Sequence, residues 1–163
     1  MSEHTPKSFR TLQLLKVPAN IFKEKQEKKN MSTLIYLDTN IYLDFLLAGR
    51  PISFTEDAFQ LFQRTLRCEF VIILSKKIKT ELYPNIQGKE SAFLFTMLKP
   101  KLKIVSVSKE DEAEAKNIDA IDTADVLHAL LARKYGATYV ITQNMKHFKK
   151  FSHIIPSKLP SEI

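Results

Sequence analysis

Three carboxylates stand where this chain could hold a divalent cation. They are Asp38 in Leu37-Asp38-Thr39-Asn40, Glu81 in Thr80-Glu81-Leu82, and Asp125 in Asp122-Thr123-Ala124-Asp125. Neutral oxygens accompany them at Asn40 and, in Thr142-Gln143-Asn144, at Thr142 and Asn144. Hard cations such as Mg²⁺ and Mn²⁺ take oxygen ligands. Mg²⁺ is usually bound by one or two carboxylates together with waters and phosphate oxygens. Clustered acids repel one another without a cation. With one they make a phosphodiester-cleaving centre, because the ion polarises a phosphoryl oxygen and lowers the pKa of its water.

Each residue also has a plainer reading by itself. Asp38 and Asp122 are good helix N-caps, and Asp125 at the third helical position completes a variant capping box that also suits the helix dipole. Glu81 is an ordinary surface acid at the edge of the stripe formed by Ile78 and Leu82. Thr142 and Asn144 suit a turn. His128 lies in the apolar stretch of a helix, which explains it as a structural residue. His147 lies among Lys146, Lys149 and Lys150, a cluster that suits either RNA phosphate or a solvated face. Asp44, one turn after Asn40, suits a contact behind the site or a polar helix edge. The joint arrangement carries the functional reading.

The elements that must bring these residues together show in the hydrophobic pattern. Leu34 to Leu37 reads as a strand, and Asn40 to Ala48 as a helix stopped by Gly49 and Pro51. A second helix is expected from Thr55 to Leu66, then an apolar strand from Phe70 to Leu74. Ser75 caps a helix reaching Tyr83 before Pro84, and another helix spans Lys89 to Leu98 before Pro100. Lys103 to Val107 is a third strand, Lys109 to Asn117 a polar helix, and Thr123 to Tyr135 an amphipathic helix ending at Gly136. Thr138 to Ile141 is a fourth strand, and Ile154-Ile155 is the candidate fifth. Strands alternating with helices predict an α/β fold with a mainly parallel sheet. Continuous apolar strands predict that both its faces are covered. Such sheets bind ligands outside the carboxyl ends of their strands, and Asp38 and Thr142 directly follow two of those ends.

Length and charge set the frame. The chain has 163 residues, which suits one domain able to bury its own core. Its net charge is +7, and residues 1–32 alone carry seven Lys/Arg against three Asp/Glu. Residues 1–31 read as a basic, flexible N-terminal extension, with the domain proper over 32–163. Met31 is an alternative start. The single cysteine, Cys68, has no partner for an internal disulfide, so a reducing, cytoplasmic setting is expected. No apolar run approaches the roughly 18 residues of a membrane span, and no signal core is present.

The motifs together resemble the PIN-domain family, in particular the VapC-type toxin ribonucleases. The resemblance runs through Tyr36-Leu37-Asp38-Thr39-Asn40-Ile41-Tyr42-Leu43-Asp44, Thr80-Glu81-Leu82, and Asp125-Val126-Leu127-His128-Ala129-Leu130-Leu131-Ala132. It closes with Gly136 to Asn144 and Phe148, so that it covers about residues 33 to 156. It implies a three-layer α/β/α fold with a five-stranded parallel sheet, and hydrolysis of RNA with Mg²⁺ or Mn²⁺. It implies that Asp38 and Asp125 bind the metal, and that Glu81 is the third acid, holding a metal-bound water or acting as its base. Thr142, Asn144 and Asn40 would orient metal or water, and Lys146, Lys149 and Lys150 would contact RNA. A toxin role implies an antitoxin protein as partner, and often a homodimer. The family often has a further acid in the last motif. Here position 144 is Asn, and His147 stands where many members have Asp, which implies one well-held metal and a weak or substrate-completed second position.

Two other readings remain open at this level. The missing acid at 144 allows a catalytically weak or inactive PIN-like module that only binds RNA. An α/β phosphatase also uses an Asp after its first strand. However, Asp38-Thr39-Asn40 lacks a second aspartate two residues on, and only three glycines leave no phosphate-cradling loop.

Overall fold

The computed structural model describes residues 32–86 and 88–163, so the extension expected over 1–31 lies outside the described residues. Five strands and seven α-helices alternate among the described residues. They are β1 (Thr33–Leu37), α1 (Thr39–Leu46), α2 (Ile52–Leu66), β2 (Phe70–Ser75), α3 (Lys76–Leu82), α4 (Gly88–Leu98), β3 (Leu102–Val105), α5 (Lys109–Ile118), α6 (Thr123–Lys134), β4 (Tyr139–Ile141), α7 (Met145–Phe148) and β5 (Ser157–Lys158). The sheet is parallel throughout, in the order β3-β2-β1-β4-β5. The fold is therefore α/β, as expected.

Ile35, Tyr36 and Leu37 in β1 and Ile72, Ile73 and Leu74 in β2 are all fully buried. Successive strand residues point to opposite faces, so helices must cover both. On one side Tyr42 of α1 packs on Phe62 of α2 and Phe95 of α4, with ring centroids 5.8 and 5.9 Å apart. On the other, α5 packs on α6, and Lys134 of α6 reaches Asp111 of α5 at 2.8 Å. Leu127 to Ala132 lie within the core along the full inner turn of α6.

The strand order sets the location of the site. The chain winds outward from β1 through β2 to β3, then returns to the other side of β1 as β4 and continues to β5. Between β1 and β4 the direction of winding reverses. Their carboxyl ends open a crevice there, the usual ligand position in such sheets. Leu37 is in register with Ile141, so the next residues, Asp38 and Thr142, meet across the crevice.

The third strand, Leu102–Val105, ends two residues before the expected Val107, the first helix ends at Leu46 rather than Ala48, and two further boundaries have a clear physical reason. The second helix begins at Ile52, three residues before Thr55, because Pro51 acts as its N-cap and accepts from Phe54 and Thr55 at 3.0 and 3.1 Å. A proline read as a stop for one helix is preset to begin the next. The fifth strand is Ser157–Lys158 and not Ile154-Ile155. Both isoleucine N–H groups are taken by the Phe151 carbonyl, at 2.9 and 3.2 Å, and both side chains are buried. Their backbone therefore cannot pair with β4, which bonds instead to Pro156 and Lys158. Gly136 ends α6 as expected, with φ +84° and the paired bonds Gly136 to Arg133 and Ala137 to Ala132 of a left-handed C-cap. No helix among the described residues is long and apolar enough to cross a membrane.

Candidate active site

Asp38 is both a cap and a site residue. It is the N-cap of α1, and its Oδ1 accepts from the Thr39 N–H at 2.7 Å. Its Oδ2 accepts from Asn40 Nδ2 at 2.6 Å and from Thr142 Oγ1 at 2.7 Å. The residue is 7% exposed. Burial pushes its carboxyl above the usual carboxylate range, Asp125's charge adds to this, and His128, Thr142 and Thr39 oppose without prevailing.

Thr39 ties Asp38 to Glu81. Its N–H serves Asp38 while its hydroxyl donates to Glu81 Oε2 in a short bond. Glu81 projects from α3 and also accepts from His128 Nε2 at 3.0 Å, with Lys77 Nζ 3.1 Å from Oε1. Burial opposes ionisation here too, but the bond and charge of His128, with Thr39 and Lys77, outweigh it and hold Glu81 down at about 2.

Behind Glu81 runs a buried chain of hydrogen bonds. His128 Nδ1 lies 2.8 Å from the Tyr36 hydroxyl, which lies 2.8 Å from Ser75 Oγ. Ser75 in turn caps α3 by accepting from Ile78 N at 3.3 Å. Burial raises the Tyr36 hydroxyl far above its ordinary pKa, so it stays a phenol able to donate. The His128 ring joins the two ends of this chain, with Nε2 donating to Glu81 and Nδ1 sharing a hydrogen bond with the Tyr36 hydroxyl. The chain thus fixes both the start of α3 and the acid that α3 carries.

Asp125, in the first turn of α6, stands 3.0 Å from His147 Nδ1 through its Oδ2. The capping box expected of Asp122 and Asp125 does not form, since Asp122 makes no side-chain cap bond. Asp119 builds the turn before α6, its Oδ1 accepting from Ile121 and Asp122 at 2.8 and 3.1 Å. Neither later carboxylate is then spent on the turn, and they pair instead with Lys150 and His147. One ligand atom from each of Asp122, Asp125 and His147 lies within 4.8 Å of the others.

This donor set suits a hard divalent cation. Three of the roughly four lone-pair directions of the Asp38 carboxylate are filled, all by neutral donors, and one on Oδ1 is left. No Lys or Arg among the described residues pairs with Asp38 or Asp125. Two acids close enough to raise the pKa of one of them thus stand at the sheet's carboxyl edge with no Lys or Arg partner.

The comparison with known families agrees with this architecture, since residues 35–154 match the PIN domain model. The chain belongs to the PIN domain family. Among solved structures it resembles FitAcB from Neisseria gonorrhoeae at 19% identity, over 79% of this chain and 99% of that one, with a TM-score of 0.54. It also resembles VapBC2 from Rickettsia felis, bound to a DNA fragment from their promoter, at 18% identity, over 78% and 98%, with a TM-score of 0.56. At these identities the likeness is one of fold. No curated protein matches the chain.

In this PIN domain the expected residues fall into three groups. Asp38, Glu81, Asn40 and Thr142 join one hydrogen-bonded cluster, and Asp125 acts on it through its charge. Asn144 takes part through its backbone, donating its N–H to Thr142 Oγ1 at 2.9 Å and opening α7, with no side-chain cap bond. Lys150 pairs with Asp122, its Nζ lying 2.6 Å from Oδ2. Lys146 and Lys149 are exposed.

Two neighbours of the candidate site were given other roles by sequence reasoning. Asp122 was legible only as a cap, although Asp at i and i+3 on a helix's first turn was a usable signal. His128 is 1% exposed, which fits the structural reading, yet it grips a site acid. No local pattern distinguishes a buried His in an apolar stripe from one with a partner on another helix.

Proposed function

We propose that this PIN domain is a metal-dependent endoribonuclease, with Asp38 and Asp125 holding Mg²⁺ or Mn²⁺. The observation that carries the reading is the Asp38 carboxylate, buried, bound only by neutral donors, and raised in pKa by burial and by Asp125. Family membership supports hydrolysis of phosphodiester bonds. When bound, the ion supplies Lewis-acid polarisation of a phosphoryl oxygen and a lowered pKa for water.

The protein's own groups have separable parts. Thr142 and Asn40 fix the Asp38 carboxylate in one orientation. Glu81, held at about 2, is ionised across the physiological range and too weak a base for efficient proton abstraction near pH 7. Its part is to orient water by accepting hydrogen bonds. His147 and Asp122 extend the site beyond Asp125, with an imidazole and a carboxylate where the last motif lacks its acid. They offset the Asn at 144 that motivated a purely binding module.

The resemblance to VapC-type toxins, with the structural likeness to VapBC2 and FitAcB, supports the toxin of a toxin–antitoxin pair. Its partners are then an antitoxin protein and a second copy of this chain, and its substrate is cytoplasmic RNA. The division into a basic extension over 1–31 and a nuclease domain over 32–163 is part of the same proposal. The test is cleavage mapping on single-stranded and structured RNA with Mg²⁺ or Mn²⁺, comparing wild type with Asp38→Ala. Metal-dependent cleavage lost in the variant supports the reading. Absence of cleavage by fresh wild-type protein in either metal overturns it.

A further inference from the structure

A cleft of about 340 Å³ opens between α3, α5 and α6, lined by Lys77, Glu112, Lys116, Thr123, Ala124 and Leu127. It adjoins the candidate active site on two walls. Lys77 on one wall pairs with Glu81 at 3.1 Å. Thr123 and Ala124 on the other belong to the turn of α6 that carries Asp125. We propose that this cleft is a subsite for the RNA strand, seating a nucleotide beside the scissile phosphate.

The chemistry of the lining fits one nucleotide unit. The volume lies at the lower end of the range of small-ligand pockets. Leu127 and Ala124 offer an apolar surface to a sugar or base. Two ammonium groups, Lys77 and Lys116, flank it and suit a phosphate. Lys77 is already engaged by Glu81. Lys116 is exposed and joins none of the ion pairs among the described residues. It is therefore the cleft's unpaired cation. Glu112, one turn before Lys116 on α5, is the only acid in the lining and repels the same phosphate.

This inference rests on the ribonuclease reading, and the experiment separates the two. Binding of a fluorescein-labelled single-stranded RNA octamer to the full chain is measured across a salt series, alongside cleavage by wild type. Lys116→Ala is expected to bind several-fold more weakly and to reduce the slope of log K against log salt by about 0.7, the loss of one phosphate contact on a single strand. Glu112→Gln is expected to bind more tightly than wild type. Both positions are exposed, so circular dichroism should match wild type. If wild type binds and cleaves RNA but neither variant changes affinity or slope, the subsite is wrong while the nuclease reading stands. If wild type neither binds nor cleaves RNA, both fall.

Discussion

His128 Nε2 stands 3.0 Å from Glu81 Oε2, across a gap of 47 residues in the chain. Tyr36 holds the other ring nitrogen at 2.8 Å. His128 is thus a positioning residue for Glu81. His128→Ala strips a partner from two buried or half-buried polar groups, which costs about 1–3 kcal/mol. It should lower RNA cleavage by about 10–100-fold, as loss of an outer partner at a metal site does. A purely packing role predicts no change in Glu81 itself. Carboxyl-carbon NMR titration should show Glu81 moving up from about 2 in the variant, and an unmoved titration would reject the positioning role.

Glu81 also predicts how stability depends on acid. Its carboxyl is depressed from 4.5 to about 2 on folding. Its stabilising contribution is therefore complete above about pH 4.5 and is lost as the pH falls towards 2. Thermal denaturation between those limits should show a steeper loss for wild type than for Glu81→Gln. Parallel curves would contradict the depressed value.

Asp38 works in the opposite sense. Its carboxyl is raised by burial and by Asp125, so its ionised form disfavours folding at neutral pH, and protonation relieves this as the pH falls through its raised pKa. A divalent cation relieves the same penalty. At 100 times its Kd, Mg²⁺ or Mn²⁺ should stabilise the protein by about 2.7 kcal/mol at pH 7, reversibly with chelator. Asp38→Ala and Asp125→Ala should each abolish both this shift and cleavage while keeping the wild-type circular dichroism. Retained cleavage in both variants would overturn the metal assignment.

His147, 3.0 Å from Asp125, makes the choice of metal testable. Imidazole favours transition metals, whereas oxygen-only sites suit Mg²⁺. His147→Ala should therefore reduce Mn²⁺-supported cleavage more than Mg²⁺-supported cleavage. An equal reduction with both ions would remove His147 from the metal's surroundings.

Away from the site, Asp44 is fully buried and its one cationic partner is Arg50, at 2.5–2.6 Å. Its Oδ2 has no partner among the described residues. Arg50→Ala strands a buried carboxylate and should cost about 3–5 kcal/mol, read as a lowered midpoint in urea. A smaller loss for Arg50→Lys would show that charge rather than the two-nitrogen guanidinium contact is what Asp44 requires.

Much of this molecule was legible in local patterns. The apolar strands around Ile35 and Ile72, the Ser75 cap and the Gly136 stop each depend on a few neighbouring residues, and each appears where the pattern put it. Asp38 and Asp125 were legible because strand ends and helix starts are local features. Tertiary structure decided what their carboxylates do. Asp38 receives Thr142 across 104 residues, while Asp119 takes over the turn and leaves Asp122 and Asp125 to pair with Lys150 and His147. It also joined His128 to Glu81 and Lys150 to Asp122. The physical reason is that a carboxylate accepts whichever donors come within about 3 Å. Periodicity sets which face a residue lies on, but only the packed sheet and helices set which donors arrive there.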